Sequence, residues 1–126
     1  MEWTFKPGLP IYTQIIDQIK MGVASGAFKS GQKLPSVREM ALEAQVNPNT
    51  MQRALAELER DGIVYAERTS GRFVTKEEGK LNDLQKSLSL HFVGEFFRNL
   101  EKLGMSKEEI VKEVTDYIKN DEEEVK

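Results

Sequence analysis

The sequence predicts a mainly α-helical chain with one small β-hairpin. Three helices and the hairpin come first, and two further helices follow. Three observations lead there. Apolar residues recur at helical spacing in five stretches. Their period shortens to that of strands only between Ile63 and Thr75. The charge balance also changes sign near Lys76: residues 1–76 hold 10 Lys/Arg against 8 Asp/Glu, a net +2, whereas residues 77–126 hold 8 against 13, a net −5.

The 126 residues, 39% hydrophobic and 31% charged, suit one small domain with an accessory helical piece. No apolar run approaches the roughly 18–20 residues of a membrane span, and the opening Met-Glu-Trp-Thr-Phe-Lys lacks a signal-peptide profile. Cysteine is absent and His91 is the one histidine, so neither disulfides nor a multi-histidine metal site is expected. A cytoplasmic location, no membrane association and no cofactor follow as expectations.

Pro10 fits the first turn of a helix that continues through Tyr12, Ile15, Ile16, Ile19 and Val23 and stops near Gly26. Lys29 to Pro35 (KSGQKLP) reads as a loop. Ser36 and Glu39 form a capping-box pattern ahead of a short helix, whose apolar face is Val37, Met40, Ala41 and Ala44. After a short connection, Asn47 reads as an N-cap and Pro48 as the first residue of a third helix. Met51, Ala54, Leu55 and Leu58 mark its buried stripe, and Asp61-Gly62 its end. IVYAE, RTSG and RFVT then read as strand, turn and strand. Two helices joined tightly and followed by a hairpin describe a winged helix-turn-helix, expected over residues 1–76.

Residues 77–126 are expected to be helical and to dimerise. Leu81, Leu84, Leu88, Phe92, Phe96, Leu100 and Leu103 mark one long helix, with Leu90, Val93 and Phe97 on a neighbouring stripe. That arc is wider than one neighbour needs, which points to a second copy of the chain. The helix closes at Gly104. Ser106 and Glu109 form another capping box, Ile110, Val111, Val114, Tyr117 and Ile118 form an apolar side, and DEEEVK reads as a solvated tail. His91 is expected at an interface or partly buried. Phe92, Phe96 and Phe97 fit a core or dimer seam, or else a pocket lining.

With the third helix's apolar stripe turned inward, Asn49, Gln52, Arg53 and Ala56 share the opposite side. Arginine matches guanine O6/N7 and Asn or Gln matches adenine N6/N7 in the major groove. The start of the second helix of a helix-turn-helix is the part that enters that groove. Thr50 and the first-turn amides suit a phosphate. The same face is equally describable as solvated polar surface. At the hairpin tip, Arg68, Thr69, Ser70, Gly71 and Arg72 suit a DNA backbone or minor groove, or simply a charged turn. Lys33 and Arg38 sit where phosphate contact is feasible, although Arg38 could pair with a carboxylate instead. The charge excess of residues 1–76 is mild.

The run from Gly31 to Val74, GQKLPSVREMALEAQVNPNTMQRALAELERDGIVYAERTSGRFV, resembles the winged domain of GntR-family transcriptional regulators, and PIYTQI at Pro10 to Ile15 resembles that family's first helix. The likeness spans about residues 5–76. VNPNT with QRAL is similar to the YtrA-type subfamily, whose C-terminal part is two helices. The resemblance implies a homodimeric repressor on a palindromic operator in double-stranded DNA. It implies DNA contacts from the LPSVR motif (Ser36, Arg38), from Asn47, Asn49, Thr50, Gln52 and Arg53, and from the wing glycine Gly71. It also suggests control of an ABC-transporter operon. Some branches carry arginine at the positions of Pro48 and Gln52, so base readout is expected to differ from theirs.

No catalytic constellation is visible. Glu108, Glu109 and Glu113 read as a solvated face, and no nucleophile–base pair or phosphate-binding glycine loop occurs. An effector is not identifiable. The alternative function is a winged protein-interaction module that never touches DNA.

Overall fold

In the computed structural model, which describes residues 1–125, the elements run α1 (Ile11–Ala24), α2 (Val37–Ala44), α3 (Pro48–Arg60), β1 (Val64–Glu67), β2 (Gly71–Val74), α4 (Glu78–Glu101) and α5 (Lys107–Val125). Two compact units form, Met1–Lys86 and Ser87–Lys126. The hairpin ends near the expected boundary at residue 76, and the first part of α4 belongs to the N-terminal unit.

The N-terminal unit is organised around α3. Met51, Ala54, Leu55 and Leu58 are all buried, and α3 packs on α1, α2 and β1. From α1 come Ile15, Ile16, Ile19 and Val23, and from α2 come Met40, Ala41 and Ala44. The spacing that predicted these helices therefore also names their buried faces. Pro10 differs in detail. It occupies the cap position, one residue before the helix, and its carbonyl accepts the Thr13 hydroxyl at 2.9 Å. Proline's preset φ suits the extended cap backbone as well as the first turn.

The segment expected as a loop between Lys29 and Pro35 is one, and it also bonds to the hairpin. The Gly31 N–H donates to Val74 O, the Val74 N–H to Gln32 O, and the Leu34 N–H to Arg72 O, each within 3.0 Å. Lys33 bridges Phe73. Gly31 and Pro35 conceal the pairing from a propensity reading, because β2 supplies the ladder from outside the segment. Within the hairpin, Val64 faces Val74 and Glu67 faces Gly71 in antiparallel register. Gly62 (φ +77°) follows the end of α3, where the chain reverses into β1.

In the C-terminal unit, Ile110 is fully buried. Ser106 and Glu109 form the expected capping box reciprocally, each backbone N–H donating to the other's side chain at 3.1 Å. The Ser106 backbone N–H, and then its side chain, hold Glu109 below the ordinary carboxylate value. Two expectations change here. His91 is exposed in this chain, with Nε2 3.0 Å from the Glu95 carboxylate. The residues read as a tail continue α5 through Val125, because no Gly or Pro interrupts a run of helix-forming residues. Lys126, the last of them, lies outside the described residues.

Core and surface leucines separate the buried from the exposed contribution to stability. Leu55→Ala, at a fully packed site, is expected to lower the unfolding free energy by about 2–5 kcal/mol. Leu42→Ala, at a side chain 74% exposed, is expected to change it by no more than about 0.5 kcal/mol. Urea titration of both variants checks this. Equal losses would overturn the assignment of α3 as the centre of the core.

Candidate nucleic-acid interface

The turn between α2 and α3 fixes the exposed side of α3. Gln45 takes a left-handed conformation (φ 57°), and the Val46 N–H reaches back to Ala41 O at 3.0 Å. Asn47 then caps α3: its Oδ1 accepts the Asn49 N–H at 2.8 Å, and Pro48 supplies the first helical residue. Behind this start, Asn49, Gln52 and Arg53 are exposed, while Thr50 and Ala56 are half-buried. The side chains able to read base edges therefore share one open face of α3.

The α3 N-terminus departs from the expected phosphate cradle. Pro48 has no N–H, the Asn49 N–H is taken by Asn47 Oδ1, and the Thr50 N–H donates to Asn47 O at 3.0 Å. Local capping satisfies the donors that an anion site needs free. The Thr50 hydroxyl is left for such a contact, and Asn47 is engaged through its carbonyl oxygen.

The remaining candidate residues divide among three places. Lys33, Leu34, Pro35 and Ser36, on the approach to α2, and Val37 and Glu39 in its first turn line an open cleft of about 580 Å³ with Ser70, Gly71 and Arg72 of the wing. Lys33 and Ser36 thus meet the wing residues at one groove. Gly71 has φ +105°, and a Cβ there would lie 3.4 Å from the Lys33 side chain. That contact is an ordinary one, so it is the positive φ of the turn that calls for glycine. Arg68 and Thr69 stand exposed at the tip. Arg38 lies apart from this cleft, in a hollow with Ala41, Leu42, Gln45, Val46 and Pro48 beside the α2–α3 turn.

Two of the arginines have partners that the sequence reading missed. Arg72 Nε is 3.1 Å from Glu59 Oε1, which ties the wing to the C-terminal half of α3; the arginine side chain is only 20% exposed. Arg53 lays its guanidinium over the Tyr12 ring, 3.7 Å from the centroid. No sequence signal pairs Glu59 with Arg72, because the hairpin sets their approach. Tyr12 carried a weak signal, as the amphipathic end of an otherwise aliphatic stripe. Among the described residues, no group of His, Asp or Glu side chains could hold a metal ion.

Comparison with known proteins matches the model of "Bacterial regulatory proteins, gntR family" to residues 11–74. YhcF of Bacillus subtilis, an HTH-type transcriptional regulator, is 40% identical over 111 residues, covering 88% of this chain and 92% of its own. The transcriptional repressor YtrA of the same organism is 38% identical over 120 residues, covering 89% and 92%. Among solved structures, a GntR family transcriptional regulator from Listeria monocytogenes aligns with TM-score 0.81 and 37% identity over 89% of this chain and 98% of that one.

The two wing arginines are expected to differ in what they do for the fold. Arg72→Ala removes a partly buried ion pair and should lower stability by up to about 1 kcal/mol. Arg68→Ala should leave it within about 0.5 kcal/mol. Thermal unfolding of both variants decides, and equal losses would remove the Glu59 tether from the account.

Proposed function

The chain belongs to the GntR family of transcriptional regulators and carries its DNA-binding domain, and from that premise we propose that it acts as a homodimeric repressor on a palindromic operator. The observation that carries this reading is the exposed Asn49, Gln52 and Arg53 face of α3. Residues 1–76 read the DNA. Asn49, Gln52 and Arg53 address base edges, and Thr50 and Asn47 the neighbouring backbone. Lys33, Ser36, Arg38, Arg68, Thr69, Ser70, Gly71 and Arg72 bind phosphates and the groove margin. Residues 77–126 dimerise.

Support for the dimer is the apolar surface of the C-terminal unit. Leu90, Phe92, Val93 and Phe96 on α4 are exposed, as are Leu103 in the turn after it and Val111, Tyr117 and Ile118 on α5. Leu88, Phe97 and Leu100 of the same unit are half-buried; Leu81 and Leu84 fall in the N-terminal unit, where Leu81 is half-buried and Leu84 buried. Patches of this kind mark association sites. Two copies address half-sites about one helical turn apart, or a small multiple of it. Kinship to the repressor YtrA supports repression, and by extension control of an ABC-transporter operon that includes the chain's own gene. Among the described residues, no helix is long and apolar enough to cross a membrane. Kinship to DNA-binding regulators supports a place in the cytoplasm.

The DNA reading is tested on the segment upstream of its own gene. Wild type should bind that segment selectively, with log K falling as log salt rises because phosphate contacts release counterions. Arg53→Ala should lose about 1–3 kcal/mol of discrimination. Equal, sequence-independent affinity of both proteins would sink the assignment of α3 as the reading helix, and no DNA binding by either would leave the protein-interaction module standing.

The dimer is tested separately by sedimentation. Wild type should sediment as a dimer at micromolar concentration, and Phe92→Asp should shift it toward monomer without lowering the melting midpoint of the winged domain. A wild-type monomer at that concentration refutes the claim.

A further inference from the structure

We infer that Tyr12 is a positioning residue for DNA readout, holding the Arg53 guanidinium in the orientation that addresses a guanine edge. The inference rests on the proposed role of α3 and adds a residue outside the helix-turn-helix to it.

The geometry begins with α1. Its stripe runs Tyr12, Ile15, Ile16, Ile19 and Val23; the four aliphatic members are buried, and α1 packs directly on α3. Tyr12 is the next step of that stripe toward the surface and is half-buried. Its ring therefore sits on a backbone locked to the helix that carries Arg53. Arg53 leaves α3 on the open side beside Gln52, and its guanidinium carbon stands 3.7 Å from the Tyr12 centroid. That distance is face contact, within the range in which a ring quadrupole attracts a cation.

Stacking uses the face of the guanidinium and leaves its edge. The five N–H donors lie in the guanidinium plane, so an arginine stacked on a ring still presents its fork to an acceptor pair. Guanine O6 and N7 form such a pair in the major groove. An unsupported arginine at this position would sample many rotamers and lose that freedom on binding. The ring removes part of that loss before DNA arrives. No carboxylate competes for the cation: among the described residues, none forms an ion pair with Arg53, and the acidic groups Glu43 and Glu59 pair with the Met1 amine and Arg72.

The inference requires that Tyr12 act through Arg53 alone, at one base pair. Selection from a library with randomised half-sites reads this. Wild type should enrich guanine at one half-site position, and Arg53→Ala should lose the preference there. Tyr12→Leu should reduce the same preference about fivefold while leaving other positions unchanged, and Tyr12→Phe should retain it, because the ring is the attracting group. In the Arg53→Ala background, Tyr12→Leu should have no further effect. A purely structural role for Tyr12 predicts the opposite: affinity lost evenly across positions, and lost again without Arg53. That pattern, or a Tyr12→Leu protein that selects as wild type does, overturns the proposal. Melting midpoints accompany each variant; if Tyr12→Leu does not fold, Tyr12→Met takes its place in the cycle. Should wild type itself select no sequence, the DNA reading of α3 fails, and this inference falls with it.

Discussion

Burial of one stripe on α3 is the constraint on which the N-terminal unit depends. Met51, Ala54, Leu55 and Leu58 occupy positions i, i+3, i+4 and i+7, and all four are buried. Each larger side chain in such a stripe contributes about 1.5–3 kcal/mol through lost water contact. Three neighbours share this one surface: α1, α2 and β1. With those positions turned inward, helical geometry leaves Asn49, Gln52 and Arg53 on the outside. The open face of α3 is thus a consequence of its core face, and any rotation that hid the polar side chains would expose the stripe.

The same local chemistry that starts α3 also decides how an anion meets it. Capping by Asn47 and the missing N–H of Pro48 consume the donors of the first turn. In the proposed DNA complex, cations and hydroxyls would do what the amides do not, among them Lys33, Arg38, Arg68 and Thr50. Two further arginines are partly restrained, Arg72 by Glu59 and Arg53 by Tyr12. The restraints differ in kind. The ion pair takes the Nε–H of Arg72 and turns that edge of the guanidinium toward Glu59, whereas a stacked ring leaves all five donors of Arg53 available. By this argument Arg53 retains more capacity for base readout than Arg72.

Periodicity and punctuation made most of the fold legible. Ser36, Asn47, Pro48 and Ser106 each sit at the helix start where their capping chemistry places them, and Gly62 and Gly104 follow helix ends with positive φ. What escaped was set by tertiary approach. The strand-like pairing of Gly31 to Leu34 exists because β2 has an edge to offer. The acidic run read as a solvated tail is exposed, but helix propensity carries α5 through it. Of the candidate interface, the exposure of Asn49, Gln52 and Arg53 followed from the α3 stripe. The groove shared by Lys33, Ser36 and Gly71, and the partners of Arg53 and Arg72, did not, because no period in the sequence encodes the distance between two elements.

In the proposed dimer, the exposed apolar surface of the C-terminal unit and the small reading face of α3 answer one requirement. A helix presents only three or four side chains to the base edges of a major groove. One α3 therefore supplies limited discrimination, while phosphate contacts add affinity without sequence. Joining two copies makes the second half-site contact intramolecular, and its effective concentration multiplies the first. The apolar side chains left open on α4 and α5, Phe92, Val93, Phe96 and Ile118 among them, would drive that joining by removing their surface from water. Specificity in such a protein is then as much a property of its hydrophobic C-terminal helices as of the polar residues that touch bases.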